Sequence, residues 1–210
     1  SLDSSPTKIV KRAIEVGLDM IAITDHNSTL HCELAFKLGQ QYNLSVLAGA
    51  EVTTKEEIHC LALFETIEQA KQFQFFIEDN LPTIENNPDH FGDQVVVDEN
   101  DNILMEYPYL LIQALNADIN EIEAKVHALG GLFIPAHIDK LANSLRSQLG
   151  LYPDSLLADA VEISRHTDCK LVYSQLPLLP EDISLLRNSD SHYIEDIGVH
   201  YTEFVMKEPT

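Results

Sequence analysis

Apolar residues near the start of the chain follow two different spacings. Those of one segment recur every three or four positions, as on one face of an amphipathic helix: Ile9, Val10, Ala13, Ile14 and Leu18. Pro6 precedes this stripe, and proline is favoured in the first turn of a helix. Residues 20–23 are then continuously apolar, which is typical of a strand buried on both faces. The pattern predicts a helix from about Pro6 and a short buried strand after it.

The alternation of helix and strand continues along the chain. Further helices are predicted at 31–41, 119–129 and 180–186, and further strands at 44–52, 58–64, 132–136 and 158–163. Near-continuous apolar strands between amphipathic helices are typical of an α/β fold built on a parallel sheet. Residues 94–104 instead form two short apolar runs around an acidic, Asn-rich turn, which predicts an inserted β-hairpin. We therefore predict one α/β domain over residues 1–210.

Composition excludes several classes of protein. The chain has 210 residues and no apolar run near the ~18 that a membrane span needs. Its 13 Lys and Arg face 34 Asp and Glu, and a net charge of -21 repels polyanions. No window offers the clustered cations of a nucleic-acid groove. The three cysteines, Cys32, Cys60 and Cys169, follow no CxxC spacing, which favours a reduced, cytoplasmic location.

Polar residues that can bind metals follow several predicted strands directly. Asp25 and His26 come after the first strand, Glu51 lies near the end of the second, and His137 ends a later one. Asp190 and His192 lie two positions apart near the C-terminus. In parallel α/β folds the functional site forms at the carboxyl ends of the strands. We expect these side chains to meet at that edge of the sheet.

His59 reaches the same edge if residues 58–64 return antiparallel to the preceding strand. That pairing places His59 roughly opposite Glu51 on one face. Imidazole and carboxylate together suit Zn, Mn or Fe, and a bridging carboxylate suits two ions held ~4 Å apart. The predicted metal ligands are His26, Glu51, His59, His137, Asp190 and His192.

Five segments resemble, in order, the motifs of the PHP (polymerase and histidinol phosphatase) family: residues 21–28, 49–53, 58–61, 135–137 and 189–192. The resemblance covers nearly the whole chain. It implies a distorted (β/α)7 TIM-like barrel with a trinuclear metal centre at its carboxyl face, and metal-dependent phosphoesterase activity. It also implies that Glu51, His59 and His137 bind one ion. Glu51 then bridges to a second ion on Asp190, and His26 and His192 bind the third.

One feature of the family is missing from this sequence. The family begins with a strand that ends in a His-x-His motif, and no histidine precedes His26. We expect the missing strand to lie upstream of Ser1, so that the chain is a fragment; the alternative is an impaired site. The intact protein is expected to hold two to three divalent ions.

The implied reaction is hydrolysis of a small phosphomonoester or nucleotide-type phosphate by a metal-activated hydroxide. Asp25, His26 and Glu51 are the candidate catalytic residues, with Asp25 either orienting an imidazole or accepting a proton. Lys140 and Arg165 are candidates for binding the phosphate of the small phosphorylated substrate, although solvation or ion pairing is the favoured interpretation of both. His166, next to Arg165, is a weaker candidate for the same pocket.

Two other functions are compatible with the sequence. One is a metallohydrolase of the amidohydrolase type, which would be expected to carry a metal-bridging lysine at a strand end, and none is evident. The other is a metal-binding PHP-like module without turnover. The sequence identifies neither the substrate, nor the native metal, nor the oligomeric state.

Overall fold

Three of the four predicted helices, those from about Pro6, at 31–41 and at 119–129, form close to their predicted positions. The structure is a computed structural model that describes residues 4–165 and 167–205. Within these residues the α-helices are α1 (Pro6–Glu15), α2 (Cys32–Tyr42), α3 (Ile67–Asn80), α4 (Pro88–Phe91), α5 (Ile119–Ala128), α6 (Leu145–Gln148) and α7 (Cys169–Gln175). None of the described helices is both long and apolar enough to cross a membrane.

Eight strands lie between or after these helices in the described residues. They are β1 (Met20–Ile23), β2 (Ser45–Thr53), β3 (His59–Phe64), β4 (Val95–Val97), β5 (Ile103–Glu106), β6 (Leu132–Pro135), β7 (Val161–Glu162) and β8 (Leu185–Leu186). β4 and β5 pair antiparallel and form the predicted hairpin. This hairpin is a separate two-stranded sheet, so the insertion leaves the main sheet unchanged.

The main sheet has four strands in the order β1-β2-β3-β6. β1 and β2 are parallel, whereas β3 is antiparallel to both of its neighbours. β7 is joined to the segment that follows β6 by the bond from Ile138 N to the Glu162 carbonyl (2.9 Å). On its other side, β7 pairs parallel with β8. Within the described residues these strands form open sheets and do not close into a barrel. The mixed α/β class and the TIM-like arrangement agree with the prediction.

Helices and sheet enclose one main apolar core. Phe64, Phe73 and Phe133 are fully buried in it, and the rings of Phe64 and Phe73 lie 5.1 Å apart. Gly131 permits this packing, because a Cβ there would lie 2.5 Å from the Phe64 ring. The close approach sets the start of β6 against β3. As a result, the carboxyl end of β6 lies at the same edge as the first residue of β3.

Residues 180–186 do not form the predicted helix. Their apolar spacing fits a helix, but Leu185 and Leu186 form β8 and pair with β7. The bond from Ile183 N to the Pro180 carbonyl (3.3 Å) closes only a turn before this strand. α7, which the sequence analysis did not identify, begins after Asp168, whose carboxylate accepts a hydrogen bond from Lys170 N. Pairing with β7 outweighs the local helical pattern here.

Candidate metal centre

The ends of β1 and β2 bring His26 and Glu51 together. Backbone hydrogen bonds continue past β1, from Glu51 N to the Asp25 carbonyl (3.2 Å) and from Asn27 N to the Glu51 carbonyl (2.9 Å). His26 and Glu51 therefore form a parallel bridge pair. Two consecutive strand ends thus present an imidazole and a carboxylate side by side, as predicted.

β3 delivers His59 to the same place because it runs antiparallel. His59 pairs with Thr53, and Glu51 pairs with Leu61, so the predicted pairing of Glu51 opposite His59 is wrong by two residues. Residues two apart on a strand share a face. His59 Nδ1 consequently still reaches Glu51 Oε1, at 3.0 Å.

His137 completes the group around Glu51. It lies two positions after β6, with the left-handed backbone angle φ of 31°. Its Nε2 is 3.3 Å from Glu51 Oε1, and His26 Nδ1 is 3.6 Å from Glu51 Oε2. The imidazole of His59 lies between the other two, with ring centroids 5.2 Å from His26 and 5.3 Å from His137. The imidazoles of three predicted ligands thus surround the carboxylate of the fourth, Glu51.

The electrostatics of this group suit cation binding. Burial alone would raise the pKa of Glu51, but hydrogen bonds from His137 and His59 and the nearby His26 hold that pKa well below its usual range. Burial also lowers the pKa of His26, which favours its neutral form. A metal ion requires an ionised carboxylate and a neutral imidazole. The directions of both shifts favour these forms of Glu51 and His26.

The donor atoms of the group fit a divalent ion. One ligand atom from each of His26, Glu51 and His59 lies within 4.8 Å of the others. The Nδ1 atoms of His26 and His137 are buried and have no hydrogen-bond partner among the described residues. Buried polar atoms without partners are uncommon and require a reason. Binding of a divalent ion beside Glu51 would satisfy the Nδ1 atom of His26, which faces that carboxylate at 3.6 Å.

Asp190 and His192 lie beside this group and have other partners. The ammonium of Lys140 donates to Asp190 Oδ2 at 2.6 Å. His192 Nδ1 lies 3.1 Å from the Asp190 carbonyl oxygen, and its side chain is 60% exposed. The ring of His192 is 5.9 Å from that of His26. These two predicted ligands therefore lie at the exposed side of the centre.

A cavity of about 470 Å³ opens next to His137. Lys140 and Arg165 both line it. Both are also ion-paired, since Arg165 Nη1 lies 3.6 Å from Asp196 Oδ1. Glu162 and Asn188 line the same wall. His166, proposed as a further lining residue, lies outside the described residues.

Asp25 contacts a residue that the sequence analysis did not select. Its Oδ2 lies 2.9 Å from Nδ1 of His31. The side chain of His31 is only 15% exposed, and its Nε2 is buried without a partner among the described residues. The alternation of strand and helix gave no sign of this pair, because His31 precedes a helix rather than following a strand. An Asp-His pair of this kind fixes the ring orientation and tautomer of the histidine.

Glu162 is a second residue that the sequence analysis missed. It is 4% exposed and accepts hydrogen bonds from Asn188 Nδ2 (2.9 Å) and from His137 N (3.3 Å). Burial raises its pKa, and the bond from Asn188 opposes the rise. The signal that identified Glu51, a carboxylate at the end of an apolar strand, is also present at Glu162.

Comparison with known proteins gives one family and several relatives. The model of the PHP domain matches residues 3–128, which include His26, Glu51 and His59. The chain is 27% identical over 224 residues to the uncharacterized protein YqxK of Bacillus subtilis. The match covers 95% of this chain and 51% of YqxK, so the chain spans about half the length of this relative.

Two solved structures share the fold. A lesion-specific endonuclease from Pyrococcus furiosus, PfuEndoQ, is 17% identical with a TM-score of 0.57, over 92% of this chain and 46% of the other. A protein of Bifidobacterium adolescentis, assigned as a metal-dependent phosphoesterase, is 17% identical with a TM-score of 0.58. The second similarity covers 95% of this chain and 87% of the other. At this identity the similarities establish the fold alone.

Proposed function

This chain belongs to the PHP domain family, and we propose that it is a metal-dependent phosphoesterase whose divalent ions bind around Glu51. The proposal depends on one observation: the buried carboxylate of Glu51 contacts the rings of His26, His59 and His137 at 3.0 to 3.6 Å. The assignment of the Bifidobacterium adolescentis protein as a metal-dependent phosphoesterase supports the same reaction class.

The ligands of the centre would hold cations that allow a negatively charged phosphate ester to bind. Bound divalent ions would lower the pKa of a coordinated water and neutralise charge on the phosphate oxygens. Glu51, His26, His59 and His137 would hold these ions, with Asp190 and His192 at the exposed side. Since the protein carries a net charge of -21, cations in the pocket are needed to offset repulsion of a phosphate.

The cavity next to His137 suits a small phosphorylated substrate. Its volume of about 470 Å³ is within the range of pockets for small molecules. The guanidinium of Arg165 can bind phosphate oxygens in a bidentate manner, and Lys140 offers a point charge. Both cations line the cavity. We propose a phosphomonoester or a nucleotide-type phosphate as the substrate.

Asp25 is proposed to act through its neighbour. With its carboxylate 2.9 Å from His31 Nδ1, it would fix the orientation and tautomer of that ring, whose Nε2 is buried. His26 and Glu51 hold the reacting centre itself.

A phosphodiester in nucleic acid is the second candidate substrate. The structural similarity to the lesion-specific endonuclease from Pyrococcus furiosus favours it. The excess of 34 acidic over 13 basic residues opposes it, because a nucleic-acid groove needs clustered cations. The smaller substrate therefore remains our first proposal.

Substitution of Glu51 tests the proposal. Purified protein is depleted of metal, reloaded with Mn²⁺, and assayed with p-nitrophenyl phosphate and bis(p-nitrophenyl) phosphate. Metal content is measured by elemental analysis. We expect Mn²⁺-dependent hydrolysis of the monoester, and a loss of at least about 100-fold together with bound metal in Glu51→Gln, since even residues that support a ligand contribute about 10–100-fold. Glu65→Gln, an exposed carboxylate, is the matched control.

Each result separates the candidate functions. Preferential hydrolysis of the diester would favour the nucleic-acid substrate. Metal that is retained by the wild type without any turnover would favour the metal-binding module and overturn the phosphoesterase. Full activity in Glu51→Gln would show that the reaction takes place elsewhere.

A further inference from the structure

A second cavity, of about 300 Å³, shares no lining residue with the cavity next to His137. We call it the tyrosine pocket, and it is lined by Glu78, Leu81, Thr83, Tyr107, Pro108 and Tyr109. Its walls are two phenol rings, apolar side chains, a hydroxyl and one carboxylate. Its volume is at the lower end of the range for small-molecule sites. The function proposed above uses none of these residues.

Two tyrosines form adjoining walls of the tyrosine pocket. The ring centroids of Tyr107 and Tyr109 are 6.5 Å apart, and the two ring planes meet at 79°. Both side chains are partly exposed. The face of a tyrosine ring carries partial negative charge and attracts a cation within about 6 Å of the ring centroid. Two rings at nearly a right angle can therefore contact one cation from two sides.

Hydrogen bonds hold the backbone of the two tyrosines in place. Tyr107 N donates to the Gln94 carbonyl (2.7 Å), and Gln94 Nε2 donates to the Tyr109 carbonyl (2.7 Å). Asn86 N donates to the Pro108 carbonyl between them (2.8 Å). A site that is already formed avoids the entropy cost of ordering its residues when a ligand binds.

Glu78 adds a negative charge to the tyrosine pocket. The buried side chain of Gln74 donates from Nε2 to Glu78 Oε1 (2.9 Å), which positions the carboxylate. Burial raises the pKa of Tyr107, and the nearby charge of Glu78 raises it further. Residues 72–124 contain 12 Asp and Glu and no Lys or Arg, so no lysine or arginine of this segment neutralises Glu78. The surroundings of the pocket therefore favour a cation.

The lining of the pocket favours one kind of cation. A single carboxylate among apolar walls is a poor site for Ca²⁺ or Mg²⁺, because each ion takes about six or more oxygen ligands. An unmethylated ammonium needs hydrogen-bond acceptors for its three N–H groups. A methylated ammonium instead presents its charge on an apolar surface, and aromatic rings are the side chains that recognise it in proteins.

We propose that the tyrosine pocket binds a quaternary or methylated ammonium group, which contacts the rings of Tyr107 and Tyr109 and the carboxylate of Glu78. This role is independent of the phosphoesterase proposal, because the pocket contains none of the proposed metal ligands. The ammonium group belongs either to a free small molecule or to a methylated lysine of another protein.

Isothermal titration calorimetry of the purified protein tests this role without an activity assay. The probes are choline and a short peptide that carries trimethyllysine, and 3,3-dimethyl-1-butanol is the neutral isostere of choline. Tyr107→Leu and Glu78→Gln each remove one contact. Asp79→Asn, at an exposed carboxylate next to Glu78, controls for the loss of a negative charge. Tyr109→Leu replaces Tyr107→Leu should that variant not fold.

We expect saturable binding of choline and much weaker binding of its neutral isostere, since the rings attract only the cation. Each pocket variant should weaken choline binding by at least about 5-fold, and Asp79→Asn should weaken it by less than about 2-fold. Tighter binding of the peptide than of choline would indicate a protein as the source of the ammonium, and the reverse order a free small molecule.

Three results overturn the inference. They are equal binding of choline and its isostere, no saturable binding of either ammonium probe, and unchanged affinity in the pocket variants. None of these results affects the metal centre around Glu51, so the phosphoesterase proposal stands or fails separately.

Discussion

The carboxylate of Glu162 accepts a hydrogen bond from the side-chain amide of Asn188 at 2.9 Å. Its second oxygen accepts from His137 N, and its carbonyl accepts from Ile138 N. The bonds from His137 N and Ile138 N hold the turn in which His137 has its left-handed backbone, and the bond from Asn188 positions the carboxylate that accepts one of them. A non-glycine residue in this conformation is strained, so the turn needs support from its surroundings. β7 thus supports a ligand that is carried by its neighbour β6.

Replacing Glu162 with Gln is expected to destabilise the protein by about 1–3 kcal/mol, because glutamine offers one acceptor to two buried donors. Asn188→Asp alone should also destabilise, since it places a second carboxylate against Glu162. The double variant restores one donor and one acceptor and should be more stable than the sum of the single effects predicts. Urea denaturation of the four proteins measures this coupling. Strictly additive effects would show that the two side chains do not interact.

Hydrogen bonds of the Asn27 side chain link the end of β1 to the end of β2 and to residues 111–113. It is fully buried, its Oδ1 accepts from Thr53 N, and its Nδ2 donates to the carbonyls of Leu111 and Gln113, both at 2.7 Å. We expect Asn27→Ala to lower the free energy of unfolding by about 2–4 kcal/mol, since it leaves buried groups unpaired. Asn43 shares the left-handed backbone but is exposed.

Asn43→Ala is therefore the matched control for Asn27→Ala. This variant loses only the preference of asparagine for the left-handed backbone, which contributes about 1 kcal/mol to the free energy of unfolding. Guanidinium denaturation of both variants provides the comparison. Equal destabilisation of the two would mean that the buried hydrogen bonds of Asn27 contribute little.

His127 joins α5 to the segment before β7 through two carboxylates. Its Nδ1 lies 2.6 Å from Glu123 Oε1, and its Nε2 lies 2.9 Å from Asp159 Oδ2. Burial opposes the charged ring, but the bonds and charges of Asp159 and Glu123 outweigh burial and raise the pKa of His127. A raised pKa in the folded state stabilises the protein below the unfolded value of 6.5, and this stabilisation is lost as the pH rises through the folded pKa.

The stability difference between wild type and His127→Gln should therefore be largest in mild acid and should shrink as the pH rises. Chemical denaturation between about pH 5.5 and pH 8.5 measures it, in a range where the carboxylates stay ionised. His90→Gln, at an exposed histidine, controls for general effects of pH. A difference that grows with pH would contradict the assigned sign.

Asp25 and His31 should behave as one unit in catalysis. If Asp25 acts by orienting His31, then Asp25→Ala and His31→Ala should each lower kcat/KM by about 10-fold or more, and the double variant should lose little further. Asp25→Asn keeps an acceptor for His31 Nδ1 and should retain most of the activity. Steady-state kinetics with p-nitrophenyl phosphate compares kcat/KM of these variants with that of the wild type. A loss in Asp25→Ala without a loss in His31→Ala would place the role of Asp25 elsewhere.

Much of the metal centre could be predicted because its signals are local. His26, Glu51 and His137 each follow or end an apolar run, and the carboxyl ends of β1, β2 and β6 do meet at one edge. The inserted hairpin was also predicted correctly, since its acidic turn lies between two short apolar runs. The periodicity of apolar residues is sufficient to predict a feature where residues close in sequence determine it.

Other features depend on contacts between distant residues. Leu185 and Leu186 form a strand only because β7 is available to pair with them. The offset that pairs His59 with Thr53 depends on the turn between β2 and β3, which apolar spacing does not specify. The link between Asn27 and the carbonyl of Leu111 spans 84 positions, so no local pattern could indicate it.

The antiparallel direction of β3 also places a turn beside the ligands of the candidate metal centre. A tight turn over residues 54–58, closed by the bond from Thr54 N to the Ile58 carbonyl (2.9 Å), lies at the same edge as the ligands. The ladder between β2 and β3 holds both strands independently of this turn, and surface turns tolerate insertions well. Relatives with longer or shorter turns here would therefore still be expected to keep the residues at Glu51 and His59 in their places. The pairing of β2 with β3 thus protects the metal ligands from changes in the turn that joins the two strands.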